Sequence, residues 1–295
     1  MIKLQKLNGF ILKVLAMVFM TMDHIGLFMM AFNPSGTPLC TLGYVFRCIG
    51  RVAFPLFVLL LVEGIRNTSN RFKYLLRIGI LTGVLMVGEI IIYYFIDSAI
   101  EVAESPLMDL FFCGLTLALL HRKDKWSWFA ILPIAFICLE AVVHAYELFH
   151  NYEIVVKWLP FYIRPGYSVF ALALSLGFYY AYSIVDRMYQ KNNMDVEEFN
   201  KTPQYRMMVN ITQASFLFLV NVVIFALSYI TYNGIAFLDL YTASVETWSI
   251  MAILLILFYN GVRGYNKPWF KYGSYIYFPV HIIIIFAVFY VIYML

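Results

Sequence analysis

The chain has 295 residues, of which 63% are hydrophobic, 19% aromatic and only 13% charged, with a formal net charge of +4 and a mean hydropathy of +0.79. Soluble domains carry about 25% charged residues, so a soluble enzyme, a coiled coil, a disordered tail and a nucleic-acid-binding domain are excluded, and membrane lipid is the expected surrounding. Cys40, Cys48, Cys113 and Cys138 form no CxxC pair and no metal-ligand spacing, which argues for neither a disulfide framework nor a metal site.

A spanning helix needs about 20 mostly apolar residues. Nine segments qualify on that rule, near 9–32, 44–63, 75–96, 106–120, 127–146, 166–185, 209–232, 240–260 and 274–294. They predict an all-α fold, a polytopic integral membrane helix bundle that fills residues 1–295 as a single domain. Lys3 and Lys6 precede the first run as in a signal peptide, but Asp23 and His24 interrupt it and no small-residue cleavage site follows, so it is expected to stay as the first helix. Between 147 and 165 the stretch NYEIVVKWLPFYIRP is amphipathic and punctuated by prolines. It reads as an interfacial or re-entrant piece, with a tenth span as the alternative. The long polar stretch is DRMYQKNNMDVEEFNKTPQYR at 186–206, and no internal repeat is visible.

Orientation follows from the basic residues, which stay on the cytoplasmic side. Lys3, Lys6 and Lys13, then Arg66, Arg71, Lys73 and Arg77, then Arg122, Lys123 and Lys125, then Arg187, Lys191, Lys201 and Arg206, and finally Arg263, Lys267 and Lys271 fall on one side of the nine-span map. These are 17 of the 21 basic residues. The other side holds Lys157 and Arg164 among its basic residues, with Asp97, Glu101, Glu104 and Asp239 beside them. The N-terminus is therefore expected in the cytoplasm and the C-terminus outside, whereas a tenth span would break the alternation after residue 165.

Arg47 and Arg51 are left over inside the second span, where a charge costs about 2.5 kcal/mol or more. Four apart, they share one helix face. Their candidate counter-charges are Asp23, Glu89, Asp109, Glu140 and Glu246, in or at the edge of different spans. Counted from the predicted span centres, His24 lies about 5 Å outside the midplane, Glu89 and Glu140 lie similarly, and Arg51 sits slightly outside its own centre. Ionisable groups buried together in a membrane point to a functional site, and structural ion pairing is the competing reading. Asp23 is adjacent to His24 and so points about 100° away from it around the helix; another carboxylate or a backbone carbonyl must orient the imidazole. His281, two residues after Pro279, is read first as a hydrogen-bonded core histidine, and His121, His144 and His150 as solvated at span ends or in loops.

Four blocks then carry a resemblance: MTMDHIG at 20–26; FRCIGRVAFPLFVLLLVEG at 46–64, followed by KYLLRIG at 73–79; LFYNGVRG at 257–264; and YIYFPVHIII at 275–284. Each places a polar residue in an apolar setting, including Glu63 and Asn260. In order and spacing they resemble the TraX family of membrane proteins, over nearly the whole chain. That family is known for N-terminal acetylation of conjugative pilin and is similar to a wider group of transmembrane acyltransferases. The resemblance implies a bacterial plasma-membrane enzyme that takes an acyl group from cytoplasmic acetyl-CoA, or another acyl-CoA, to an extracytoplasmic acceptor: pilin, a glycan or a small molecule. It implies His24 as the catalytic residue and Arg47 with Arg51 as donor-binding residues, although related O-acyltransferases space their arginines three apart and this chain spaces them four apart. No metal is implied.

Such chemistry suits the predicted topology. The donor's phosphates need a basic cytoplasmic mouth, for which Arg66 and Arg77, with Arg71, Lys73, Arg263 and Lys267, are candidates, topology signalling being their other reading. His24 can act as general base on an amine or hydroxyl or as a nucleophile forming an acyl-imidazole. Asp23 stands beside it, and Arg51 or Arg47 is placed to stabilise the thioester oxyanion. Two other classes remain open at this level: a proton-coupled transporter using Asp23, His24, Glu89 and the arginines as a relay, and a non-catalytic membrane scaffold.

Overall fold

The computed structural model describes residues 5–91, 94, 105–122, 124–150, 155–232 and 245–294. Lys3, Asp97, Glu101, Glu104, Lys123 and Asp239, and parts of the predicted spans 75–96 and 240–260, lie outside them. Every described element is helical: α1 (Gly9–Phe32), α2 (Pro38–Gly50), α3 (Ala53–Asn67), α4 (Arg71–Ile91), α5 (Pro106–Leu120), α6 (Ile131–Phe149), α7 (Ser168–Lys191), α8 (Val196–Phe199), α9 (Pro203–Tyr232), α10 (Ala252–Leu257) and α11 (Pro268–Met294).

Among the described residues, seven helical stretches are long and apolar enough to cross a membrane: Gly9–Phe32, Pro38–Asn67, Arg71–Ile91, Lys125–Phe149, Ser168–Lys191, Pro203–Leu227 and Pro268–Tyr293. Pro106–Leu120 and Thr247–Leu257, where the fourth and eighth spans were expected, are apolar but shorter. Residues 155–165 carry turns and one 3-10 turn, Phe161–Ile163, in place of a tenth spanning helix. The second span, expected at 44–63, is the longer stretch Pro38–Asn67, and it breaks into a turn at Arg51 and Val52 between α2 and α3. Pro55 supplies the reason: in a continuous helix its ring would meet the carbonyl of residue 51, and it has no N–H to donate there.

Local chemistry sets the ends. Asn8 caps α1 by accepting from Ile11 N at 2.9 Å, and Thr37 caps α2 by accepting from Cys40 N at 3.2 Å, followed by Pro38 in the first turn. Ahead of α6, Asp124 accepts from Trp126 N at 3.0 Å, and hydrogen bonds from Arg122 hold its carboxyl below the usual range. Outer faces stay apolar. Ile80, Val84, Val87 and Ile91 line one exposed face of α4, and Ile276, Ile283, Ile284 and Ile292 are exposed on α11. Such continuous apolar surface is expected against lipid, and the chain is a multi-pass membrane protein.

The chain divides into two compact units. The first comprises Met1–Phe57, Ala181–Phe225 and Tyr241–Leu295. In it α1 packs on α2 and α11, and residues 7–9 run along 258–262, with Leu7 N donating to Phe258 O at 3.0 Å and Asn260 N donating to Leu7 O at 2.9 Å. The α1–α11 contacts advance in one direction, Thr21 with Tyr277, His24 with His281 and Asn33 with Tyr293, so the two helices run parallel.

The second unit comprises Val58–Tyr180 and Ala226–Leu240. Its centre is α5, where Leu107, Met108, Asp109, Leu110, Cys113, Gly114, Thr116, Leu117 and Ala118 are buried. Asp109 accepts from Gly166 N, Tyr167 N and Ser168 N at 2.8, 2.9 and 2.7 Å, closing the start of α7. Arg164 lies in the loop where it was expected, with its side chain buried, Nη2 2.9 Å from Glu147 Oε1 and Nε donating to Leu159 O at 2.7 Å. The pair ties the turns of 155–165 to the end of α6. Burial is tolerated because each charge has both an ionic partner and further hydrogen bonds.

Candidate functional site

The candidate site lies within the first unit and begins with three glycines. Gly43, Arg47 and Gly50 recur at helical spacing on α2, facing Asp23 and Gly26 on α1. A β-carbon on Gly26 would stand 2.9 Å from Arg47 N, one on Gly43 2.8 Å from Gly26 O, and one on Gly50 2.6 Å from Asp23 Cα. All three contacts are with backbone, which has little room to yield. Two helix backbones therefore approach without intervening side chains, and the approach delivers Asp23 to the arginines. Gly26→Val is expected to destabilise the protein by about 3 kcal/mol or more, at the upper end of overpacking costs. A thermal-unfolding midpoint in detergent equal to wild type would show that the crossing is not as tight as described.

Asp23 stands between both arginines, 3.4 Å from Arg47 Nη1 and 3.2 Å from Arg51 Nη2. Arg51, in the turn that ends α2, reaches with Nη1 to Glu246 Oε2 at 3.0 Å. Glu246 immediately precedes the 3-10 turn Thr247–Met251 and is buried, as is Arg51. Two guanidinium groups and two carboxylates thus form a charge-balanced quartet, which is what makes its burial tolerable. Of the candidate counter-charges, Asp23 and Glu246 are brought to the arginines. Asp109, Glu140 and Glu89 belong to the second unit, where Asp109 serves the start of α7.

His24 leaves α1 toward α11 and meets His281, with Nδ1 and Nε2 2.9 Å apart. His281 Nδ1 lies 2.8 Å from the carbonyl oxygen of Tyr277, and the Tyr277 ring stacks on the His281 imidazole at 4.9 Å, inclined by 5°. One turn earlier on α1, Thr21 Oγ1 hydrogen-bonds the Tyr277 hydroxyl. The partner of the catalytic candidate is thus a second histidine, which the sequence read first as a core residue and kept among the further site candidates. Tyr277 was not singled out; its position four residues before His281 was the available signal.

The remaining sequence candidates are dispersed. Arg263 is exposed in the 258–267 loop, and its backbone lies against Gly9; from there to His24 is about 22 Å along α1. Asn260 shapes that loop, its Oδ1 accepting from Val262 N at 2.9 Å. In the second unit Arg66 lies over the Tyr179 ring at 5.7 Å, Arg77 Nε donates to Lys73 O at 2.9 Å, buried Glu63 accepts from Asn67 Nδ2 at 3.1 Å, and Glu89 is half-buried on α4. Arg206, counted with the cytoplasmic loops, is buried in the first unit: Nε donates to Asn210 Oδ1 at 2.7 Å, Nη1 meets the Tyr182 hydroxyl, and the guanidinium lies 4.4 Å from the Tyr259 ring centre. Among the described residues, no group of three or more His, Cys, Asp or Glu side chains is placed to hold a metal ion.

Residues 8–196, more than half of the chain, match the family described as TraX protein. That stretch holds Asp23, His24, Arg47 and Arg51, while Glu246, Tyr277 and His281 lie beyond it. No curated protein and no solved structure matches the chain.

Proposed function

The chain belongs to the TraX family, and from that premise we propose that it is an integral membrane acyltransferase. In this reading it moves an acetyl group from cytoplasmic acetyl-CoA to an amine or hydroxyl acceptor at the outer side of a bacterial plasma membrane. The acceptor is pilin, a surface glycan or a small molecule. The N-terminus faces the cytoplasm, as the clustering of basic residues in alternate loops requires. One observation carries the reading: a histidine inside a spanning helix is held by a second histidine, beside a charge-balanced Asp–Arg–Arg–Glu set.

The chemistry follows from those groups. As the acceptor nitrogen or oxygen attacks the thioester carbonyl, its proton passes to His24; the carbon–sulfur bond then breaks and the CoA thiolate takes the proton back. In the variant route, His24 itself attacks, the carbon–sulfur bond breaks to release the CoA thiolate, and the acyl group passes from the imidazole to the acceptor, whose proton goes to the thiolate. Arg47 and Arg51 lend positive charge to the forming oxyanion. They are also tied to Asp23 and Glu246, which hold the guanidinium groups in place and moderate their pull on the donor. Arg263, in the same unit as His24, serves the donor's phosphates in this reading.

Detergent-purified protein is expected to bind acetyl-CoA and CoA with micromolar affinity, raising its unfolding temperature, and to ignore ATP. A well-folded wild-type protein that binds none of the CoA compounds selectively would sink the acyltransferase reading. The same quartet favours one other class, a proton-coupled transporter, because carboxylates paired to arginines inside a membrane are the parts of a proton relay. Flux driven by a pH gradient in proteoliposomes, without acetyl-CoA binding, would select it.

A further inference from the structure

The two histidines stand in a chain whose proton positions follow from what each atom can do. A carbonyl oxygen only accepts. The 2.8 Å contact between His281 Nδ1 and Tyr277 O therefore places a proton on Nδ1. A neutral imidazole carries one N–H, so His281 Nε2 holds a lone pair. The nitrogen 2.9 Å from it, His24 Nδ1, must then supply the proton of that hydrogen bond. By the same count His24 Nε2 is left unprotonated. Tyr277 O, His281 and His24 thus line up so that the basic lone pair of the pair sits on His24 Nε2.

We infer that His281 is a positioning residue: it fixes His24 in the tautomer whose Nε2 is free to react, and it takes up the positive charge that forms there. The inference rests on the acyl-transfer reading of His24 and names how that residue is readied. When Nε2 accepts the proton of the attacking amine or hydroxyl, the Nδ1 proton of His24 shifts to His281 Nε2. The charge then resides on a ring whose two N–H groups both have acceptors, Tyr277 O and His24 Nδ1. If His24 instead attacks the thioester, the same shift leaves a neutral acyl-imidazole on Nε2. When the leaving CoA thiolate takes the proton from Nε2, the chain runs back to its starting state.

The surroundings suit this role. The Tyr277 ring lies parallel to His281 at 4.9 Å, a face that favours an imidazolium. Thr21 and Tyr277 join the same two helices one turn away, so α1 and α11 present the imidazoles in register. A carboxylate that would do this work in a serine-protease triad is absent from the described neighbours of His24 Nδ1; Asp23 turns to Arg47 and Arg51. Asp23 and Arg47, of opposite sign, are the charged side chains whose fields reach His24, which also hydrogen-bonds the backbone of Met20.

The test uses the full-length protein and does not depend on a variant alone. With five histidines in the chain, ring-nitrogen NMR of uniformly 15N-histidine-labelled wild type is assignable by difference against His24→Gln. The expected result is a neutral His24 protonated on Nδ1; protonation on Nε2 overturns the inference. In acetyl transfer or acetyl-CoA hydrolysis, His281→Ala is expected to lower kcat by about a hundredfold, with KM for acetyl-CoA within about twofold. His281→Gln restores an acceptor near the Nε2 position and is expected to recover at least tenfold of that loss. Equal rates for wild type and His281→Ala, or equal losses for the alanine and glutamine variants, overturn it. A wild-type protein with no transfer or hydrolysis at all overturns the acyltransferase reading instead, and the NMR tautomer still decides the arrangement of the pair.

Discussion

His24→Ala is expected to lower acetyl transfer by about 10²–10⁴-fold, the range that a positioned general base supplies. Its acetyl-CoA binding should stay within about threefold of wild type, because the donor's charge is met by arginines and the imidazole acts on the reacting atoms. The two readouts separate chemistry from binding. Acetyl-CoA consumption by purified protein gives the first, and equilibrium binding of the same preparation gives the second. Acid-quenched wild type that retains a labelled acetyl group, absent from His24→Ala, would identify the nucleophilic route; its absence at full activity would identify the general-base route. Full activity in His24→Ala would remove His24 from the chemistry and with it the proposed mechanism.

The largest stability effect is expected at Arg51. Arg51→Met leaves Glu246 buried with its ionic partner gone and strips one of the two cations from Asp23, a loss of about 3–5 kcal/mol for a broken buried pair. Removing both ends is expected to hurt less than removing one. The double variant Arg51→Met, Glu246→Leu should regain a large part of the loss, since an apolar pair of similar volume replaces two buried charges. Arg47→Met should cost less than Arg51→Met, because Arg47 touches Asp23 through a single 3.4 Å contact and is less buried. Denaturant unfolding of the single and double variants closes the cycle. Strict additivity of the Arg51 and Glu246 effects would show that the 3.0 Å contact carries no coupling.

Much of this architecture was legible in the chain. Apolar runs of spanning length marked the helices, since the bilayer requires them. Asp23, His24, Arg47 and Arg51 stood out because charge is scarce in such runs, and the four-residue interval between the arginines put them on one face. Their meeting was also foreseeable, α1 and α2 being joined by a short turn at 33–37. The break at Arg51 could have been read from Pro55.

Other features were decided by packing. Glu246 is 195 residues from Arg51 and His281 is 257 from His24, and several carboxylates met the same hydropathic criteria as Glu246. Arg206 was counted with the loops because the counting rule treats every basic residue near a span end as a topology signal, but it lies inside α9; its burial depends on Tyr182, Asn210 and Tyr259, and that of Arg164, in its loop, on Glu147. By itself the sequence determined that this is a multi-pass helical membrane protein with charged groups and a histidine inside its spans, because hydropathy and periodicity belong to one helix at a time. Only the tertiary structure decided that Glu246 completes the quartet and that His281 faces His24. Partner choice belongs to pairs of helices, and here it is set by how closely three glycines let α1 approach α2 and by the parallel seam between α1 and α11.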